Sequence, residues 1–297
     1  MSHPQKIRQL LQQPETLILP GVYDCISAKL AEKIGFEAIF TSGFGISGST
    51  LGKPDYGFLT ATEMLNSAGQ IAESVTIPLI ADIDTGYGNP LNVIRTVTDI
   101  VKLDIAGIIL EDQELPKKCG HFAGKRVIPA ADHIQKIRAA VQARGKSDLV
   151  IIARTDARAP LGLDEAIHRG RAYYEAGADI IFIEAPQSLE DLQAIASALP
   201  NVPLFANMIE GGKTPVLSGQ QLQELGFKIV VYPLSGLFAA TKAMMDCLSH
   251  LRQQGTTAGF SNLVSFPEFE QLIDVPHYRQ LEQQFTVSEA SPPGEMG

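Results

Sequence analysis

Asp82 and Asp84 stand two residues apart at the end of a short apolar run, Pro78–Asp82. At a strand end that spacing puts both carboxylates on one side. Left alone, two close carboxylates repel and one takes up a proton. A hard divalent cation removes the conflict. Glu111, followed by Asp112 and Gln113, ends another apolar run, and Asp55 lies in the stretch that follows a third. No histidine or cysteine stands beside these acids in the sequence. The oxygen-only set Asp82, Asp84, Glu111 and Asp55 therefore points to Mg²⁺ or Mn²⁺ rather than zinc. Mg²⁺ takes one or two carboxylates directly and keeps several waters, so Glu111 and Asp55 are expected to bind through water. The plainer alternative is that these acids cap helices and turns, as Asp84 could before Thr85-Gly86-Tyr87-Gly88-Asn89.

Arg154, in Arg154-Thr155-Asp156, is of the type that clamps a substrate carboxylate in bidentate fashion. An internal salt bridge to Glu184 or Glu111 is the alternative, and both can hold together. Thr41-Ser42-Gly43 offers hydroxyls and backbone N–H groups for another carboxylate, and Glu184, Asn207 and Glu210 end further runs. Lys117-Lys118-Cys119-Gly120-His121 sits inside a long connection, Gln113–Ala130. Long connections of this kind tend to be lids. Two lysines and a histidine around Cys119 are expected to favour its thiolate, against an inert solvent-facing cysteine. Cys25 and Cys247 fall at helical positions and read as small core residues. His133, His168 and His250 read as surface or interhelix residues.

Composition bounds what these groups can serve. The 297 residues carry 24 Lys and Arg against 33 Asp and Glu, a net charge of −9. That acidity disfavours nucleic acid and anionic membrane surfaces as partners. Three scattered cysteines form neither a disulfide framework nor a CxxC site, and tryptophan is absent. No apolar run reaches the ~18 residues of a membrane span. The N-terminus lacks a signal-peptide apolar region, so a cytoplasmic location is expected. Two motifs mislead. Gly43-Phe44-Gly45-Ile46-Ser47-Gly48 fits GxGxxG, but Pro54 and further glycines oppose the helix that a dinucleotide site needs. Gly212-Lys213-Thr214 lacks the first glycine of a phosphate loop, since Asn207 stands there.

The elements that must position these groups repeat along the chain. Eight short apolar runs, ending near Leu19, Thr41, Asp82, Leu110, Ala153, Ile183, Ala206 and Tyr232, alternate with helical stretches. Runs apolar on both faces suit a parallel sheet covered by helices. Gly35, Gly177 and Gly226 stand where helices end and strands begin. Eight such units predict an α/β fold, a (β/α)₈ TIM barrel, with its chemistry at the C-terminal ends of the strands. A doubly wound open sheet is the alternative. Residues 1–286 are expected to form this single barrel with a helical extension, about 256–286, carrying helices near Phe266–Leu272 and His277–Phe285. The stretch 287–297 is expected to be disordered.

Taken together these residues resemble the isocitrate lyase and phosphoenolpyruvate mutase superfamily. The segments that carry the likeness are Pro20–Cys25, Thr41–Gly43, Ala81–Asn89, Glu111–Gln113, Lys117–His121, Ala153–Ala157 and Asn207–Gly212. The Lys-Lys-Cys-Gly-His string is specific to the lyase branch; mutases lack that cysteine. Asn207–Pro215 and Arg126–Pro129 are similar to the petal death protein and oxaloacetate hydrolase group, with the methylisocitrate lyases close by. The resemblance implies Mg²⁺ on Asp82, with Asp55, Asp84 and Glu111 reached through waters. It implies substrate contacts from Ser42, Gly43, Arg154, Glu184 and Asn207, to which the site reading adds Thr41, Asp82 and Gly120. It also implies a homo-oligomer, a dimer of dimers with the last helix exchanged between subunits.

The expected activity is C–C cleavage of a small 2-hydroxy or 2-oxo dicarboxylate, a 2-alkylmalate or hydrated oxaloacetate. Cys119, Glu184, Arg154 and His121 form the expected catalytic set. Cys119 protonates the departing carbanion, and Glu184 or a metal-linked carboxylate takes the hydroxyl proton. Methylisocitrate cleavage is the nearest alternative. Phosphonomutase chemistry is opposed by Cys119, and a non-catalytic dicarboxylate-binding barrel by the intact ring of acids.

Overall fold

A computed structural model of the chain describes residues 1–286. Its strands are β1 (Leu17–Val22), β2 (Ile39–Thr41), β3 (Leu79–Asp82), β4 (Gly107–Glu111), β5 (Val150–Thr155), β6 (Ile180–Ile183), β7 (Leu204–Asn207) and β8 (Phe227–Tyr232). All eight are parallel and close into a barrel in sequence order, with β8 beside β1. The helices packed around them are α1 (His3–Gln12), α2 (Cys25–Ile34), α3 (Gly43–Ile46), α4 (Ala61–Glu73), α5 (Pro90–Lys102), α6 (Ala130–Arg144), α7 (Arg158–Leu161), α8 (Leu163–Glu175), α9 (Leu189–Ala198) and α10 (Gly219–Glu224). α11 (Ser235–Gln254), α12 (Phe266–Leu272) and α13 (Val275–Phe285) complete the set. The chain divides into two compact units, Met1–Met244 and Met245 onward. The stretch expected to be disordered, 287–297, lies outside the described residues. Among the described residues no helix is long and apolar enough to cross a membrane.

The barrel follows from side-chain alternation. Phe40, Ile80, Ile109, Ile152, Phe182, Phe205 and Val231 pack together inside the barrel, while Ala81, Ile108, Leu110, Ile151, Ile181 and Leu204 pack outward under the helices. Strand residues change face at every step. The position two beyond each inner residue therefore points into the barrel mouth. Those positions are Ser42, Asp82, Glu111, Arg154, Glu184, Asn207 and Pro233. At Gly21 a Cβ would sit 1.9 Å from the Pro233 carbonyl oxygen, so only glycine lets β1 and the end of β8 approach.

Helix ends use ordinary capping chemistry. Asp24, Thr60, Asn89, Ser188 and Ser218 accept backbone N–H bonds at the starts of α2, α4, α5, α9 and α10. Gly35, Gly177 and Gly226 adopt φ of 103°, 108° and 92° at helix ends, the left-handed geometry their positions suggested.

Two helices depart from the sequence expectation. α1 was not anticipated; Ser2 and Gln5 form a capping box, and Ile7 plugs the closed end of the barrel core. A helix also does begin at Gly43, because Ser42 caps it through the Gly45 N–H, and it runs into a π-turn at Ser47–Leu51. Pro54 comes after that turn and does not obstruct it. Two cysteines differ as well. Cys247 is half-buried on α11, which has no buried residue, and Cys25 is half-buried at the edge of a core cluster. His133 is fully buried and packs against Tyr173 between α6 and α8, with ring centroids 4.6 Å apart and the rings tilted by 59°.

Candidate active site

The barrel mouth holds a small cavity lined by Ser42, Asp55, Asp82, Cys119, Gly120, His121, Arg154, Glu184 and Asn207, together with apolar side chains. Residues from six strand ends and from the long connection thus meet in one place. Asp84 and Glu111 are buried beside this cavity and not on its wall. Thr41 is also buried off the wall, because the strand alternation turns it outward, and its hydroxyl has no hydrogen-bond partner. Glu210 accepts a hydrogen bond from Ser235 and does not line the cavity.

The acid side is built by β3. Asp82 accepts from the Gly43 N–H at 3.0 Å and from the Asp84 N–H at 2.9 Å. The Gly43 N–H, expected to meet a substrate carboxylate, is therefore committed to Asp82. Asp84 follows the strand with φ 50°, which turns its carboxylate toward the loops. Between Asp84 and Asp55 lies Lys117, with Nζ at 2.5 and 2.7 Å from their Oδ1 atoms. Burial opposes the Lys117 charge, but Asp84, Glu111 and Asp55 outweigh it and hold its pKa well above the usual lysine range. Burial raises the pKa of Asp84 to about 6, with Lys117 pulling the other way. Burial likewise raises Glu111 well above the carboxylate range, against the pull of Arg154.

The opposite side is organised by Arg154. Its Nε and Nη2 donate to the two oxygens of Asp156 at 2.9 and 3.1 Å. The planar fork expected to clamp substrate is thus taken by Asp156, two residues along the same face. The rest of the guanidinium faces Glu184 through Nη1 and Glu111 through Nη2, each at 3.3 Å, and lies 5.3 Å over the Phe182 ring. A substrate carboxylate would meet this outer edge. His121 receives the Lys213 N–H on Nδ1 at 2.9 Å, which leaves Nε2 to carry the proton and face Glu184 at 3.1 Å. Burial opposes the Glu184 charge, but Arg154 and then His121 prevail and lower its pKa to about 2.

Cys119 comes from the long connection between β4 and α6. The root of that connection is pinned by a bridge between Gln113 and Val127 and by Ile128 N–H donating to the Asp112 carbonyl. Its tip is pinned by Cys119 N–H on the Asp55 carbonyl at 3.0 Å, and Phe122 packs on Tyr56. The thiol is 8% exposed and its pKa is pushed up to about 11, chiefly by burial, with Asp55 and Glu184 adding to the effect. This overturns the expected thiolate. Lys117 is spent on Asp55 and Asp84, Lys118 reaches the Gly124 carbonyl at 3.4 Å, and the His121 ring faces Glu184. The His121 backbone N–H lies against the sulfur and works against the effect of burial, but the charged side chains of these sequence neighbours point elsewhere.

Among the described residues no three His, Cys, Asp or Glu side chains are gathered as a ready metal cage. Lys117 spreads Asp55 and Asp84 apart. The donor chemistry nevertheless fits a hard cation that keeps its waters. All the donors are carboxylate oxygens, and Glu111 Oε1 is buried without a hydrogen-bond partner. Among the described residues, the six buried carboxylates Asp55, Asp82, Asp84, Glu111, Asp156 and Glu184 are met by the cations Lys117, Lys125 and Arg154, with Lys136 of α6 acting on Glu111. Sequence reasoning passed over Lys117 as a partner of the acids, and it missed Lys125. The i,i+2 step from Arg154 to Asp156 was the one available signal for Asp156.

The chain matches the phosphoenolpyruvate phosphomutase family over residues 7–252. It is 45% identical over 288 residues to 2,3-dimethylmalate lyase from Eubacterium barkeri, covering 97% of this chain and 99% of that one. A solved structure of oxaloacetate acetylhydrolase with the inhibitor 3,3-difluorooxalacetate superposes with a TM-score of 0.92 at 35% identity, covering 97% of this chain and 99% of the other. A phosphonopyruvate hydrolase solved with oxalate and Mg²⁺ superposes with a TM-score of 0.87 at 32% identity, covering 96% and 99%.

Proposed function

The chain belongs to the phosphoenolpyruvate phosphomutase family within the isocitrate lyase superfamily, and on that footing we propose that it cleaves a 2-alkylmalate into a 2-oxo acid and a saturated carboxylate. It is a carbon–carbon lyase acting on small dicarboxylates. The observation that carries the finer reading is the cavity itself. Its lining joins charged groups, Asp82, Arg154 and Glu184, with apolar ones, Phe44, Ile209, Pro233 and Leu234, and includes Cys119. A substrate with a hydroxy-acid end and an alkyl-bearing end matches that mixed lining.

Asp82, with Asp55, Asp84 and Glu111 through waters, would hold Mg²⁺ or Mn²⁺. Bound there, the ion supplies positive charge beside the hydroxy-acid end of the substrate. The outer edge of Arg154 binds a carboxylate oxygen, and Glu184 holds Arg154, His121 and Asn207 in place. Arg154 and His121 favour the ionised form of Glu184, and Glu184 or a carboxylate of the acid cluster would take the C2 hydroxyl proton. The C2–C3 bond then breaks. C2 becomes the ketone carbon of the 2-oxo acid, and the electron pair on C3 spreads into the attached carboxylate. The Cys119 thiol gives its proton to C3, and the thiolate regains one from solvent when the products leave. The cavity volume of about 40 Å³ admits only a few waters. The connection carrying Cys119 must therefore open for substrate and close again to keep water from the carbanion.

A panel of 2-alkylmalates, oxaloacetate, methylisocitrate, isocitrate and phosphonopyruvate tests this reading. With Mg²⁺ present, a 2,3-dialkylmalate is expected to exceed oxaloacetate by about 10–200-fold in kcat/KM, the discrimination that an added methyl group allows in an apolar pocket. Preference for oxaloacetate, or turnover of phosphonopyruvate alone, contradicts it.

The same reading includes a homo-oligomer, with the dimer of dimers and exchanged last helix that the family likeness suggests. In the unit from Met245 onward Leu248, Phe266, Tyr278 and Phe285 are 62%, 78%, 64% and 74% exposed. Large exposed apolar groups of this kind mark contact surfaces. Light scattering is expected to give an even multiple of the chain mass, and a monomer at micromolar concentration rejects the assembly.

A further inference from the structure

Lys125 is buried at the foot of the long connection, with its side chain 1% exposed. No step of the reaction above uses it. Its ammonium donates to Asp156 Oδ1 at 2.6 Å and also to the carbonyl oxygen of Gly120. Asp156 is the residue that fills the fork of Arg154 and is itself fixed by its N–H on Asp112 at 2.8 Å. Gly120 is the neighbour of Cys119, and it lies so close to the floor that a Cβ there would come within 2.5 Å of Arg154 and 2.6 Å of Glu184. One ammonium thus joins the tip of the connection to the support of Arg154.

We propose that Lys125 is a positioning residue that latches the lid: it ties Gly120 to Asp156, so that Cys119 is set over the bound substrate only while the lid is seated on the Arg154 support. Two features favour this over a role confined to neutralising Asp156. Asp156 already has both oxygens engaged by Arg154. The second acceptor of Lys125, the Gly120 carbonyl, belongs to the part of the chain that must move for substrate to enter. Opening the lid leaves Lys125 on Asp156 and breaks only its bond to Gly120. Closing restores that bond, which a buried ammonium strongly favours because an unmet donor in the interior is costly.

This inference rests on the lyase reading only for its kinetic arm, and the first measurement is independent of turnover. In a Cys25→Ser/Cys247→Ser background, alkylation of Cys119 by iodoacetamide reports lid opening. The parent is expected to react slowly and to be protected by oxalate with Mg²⁺. Lys125→Met should react roughly tenfold faster or more, the factor expected when the closed lid loses one hydrogen bond to a charged group, and oxalate should no longer protect it. Lys125→Arg, which keeps the charge, should recover part of the slow reaction, and it also serves if the Met variant fails to fold. In the kinetic arm, Lys125→Met should lower kcat by about 10²-fold, the effect of misplacing a catalytic group by about 1 Å, with a much smaller change in KM because Asp156 still holds Arg154. Alkylation of Lys125→Met at the parent rate with full protection by oxalate overturns the latch, even if turnover falls. Absence of turnover in the parent on every substrate sinks the lyase reading and leaves the alkylation arm to decide the latch.

Discussion

Removal of divalent cations is expected to abolish turnover of a 2-alkylmalate, and Mg²⁺ or Mn²⁺ to restore it. The reason is charge. Asp55, Asp82, Asp84, Glu111, Asp156 and Glu184 outnumber the buried cations near them, Lys117, Lys125, Lys136 and Arg154, and a dicarboxylate substrate adds two negative charges. Buried charge without a partner costs several kcal/mol per ion. Lys117 answers Asp55 and Asp84, while Asp82 has only backbone N–H partners, so its carboxylate keeps capacity for a cation. A readout besides activity follows from mass action. At a hundredfold excess over Kd a bound ion stabilises the fold by about 2.7 kcal/mol. For a chain of 297 residues that corresponds to a rise in Tm of roughly 4–5 °C. Asp82→Ala should lose both the activity and the Tm response. Full turnover by enzyme shown to be metal-free by elemental analysis refutes the dependence.

The barrel and the ring of groups at its mouth were legible because both depend on local periodicity. A strand residue changes face at each step, so the identity of Asp82, Glu111, Arg154, Glu184 and Asn207 at strand ends already placed them together. What the groups do to one another was less legible. Arg154 and Asp156 sit two apart on one face, and their bidentate pairing displaces the expected substrate clamp. Lys117 and Cys119 are also two apart, but on a connection without strand periodicity, where adjacent side chains diverge. Lys117 goes to the acids and the sulfur to the cavity. Lys125 finds Asp156 across 31 positions, a contact no local pattern encodes. Gly43 shows the converse. Its glycine pattern suggested a loop, yet Ser42 supplied a cap and a helical turn formed.

Cys119→Ser is expected to lower kcat by about 10²–10⁴-fold, the usual contribution of general acid catalysis. The structure sharpens the basis for this. A thiol held at about 11 by burial is protonated at neutral pH, so it is a proton donor in its resting state and a poor nucleophile. Sign matters here. Because burial disfavours the thiolate, the proton stays on sulfur until a strong base arrives, and a carbanion at C3 is such a base. Serine keeps the size and the place in the lid, but its hydroxyl is a far weaker acid. The substitution should therefore spare oxalate binding while slowing the protonation step. Alkylation provides a second check. With its pKa near 11 and the lid closed, the thiol should react slowly at neutral pH and faster as pH rises toward 11. Rapid alkylation at pH 7 in the closed state contradicts the buried, protonated thiol. Wild-type kcat in Cys119→Ser removes the residue from catalysis, and a substrate adduct trapped on the sulfur replaces proton donation with a covalent mechanism.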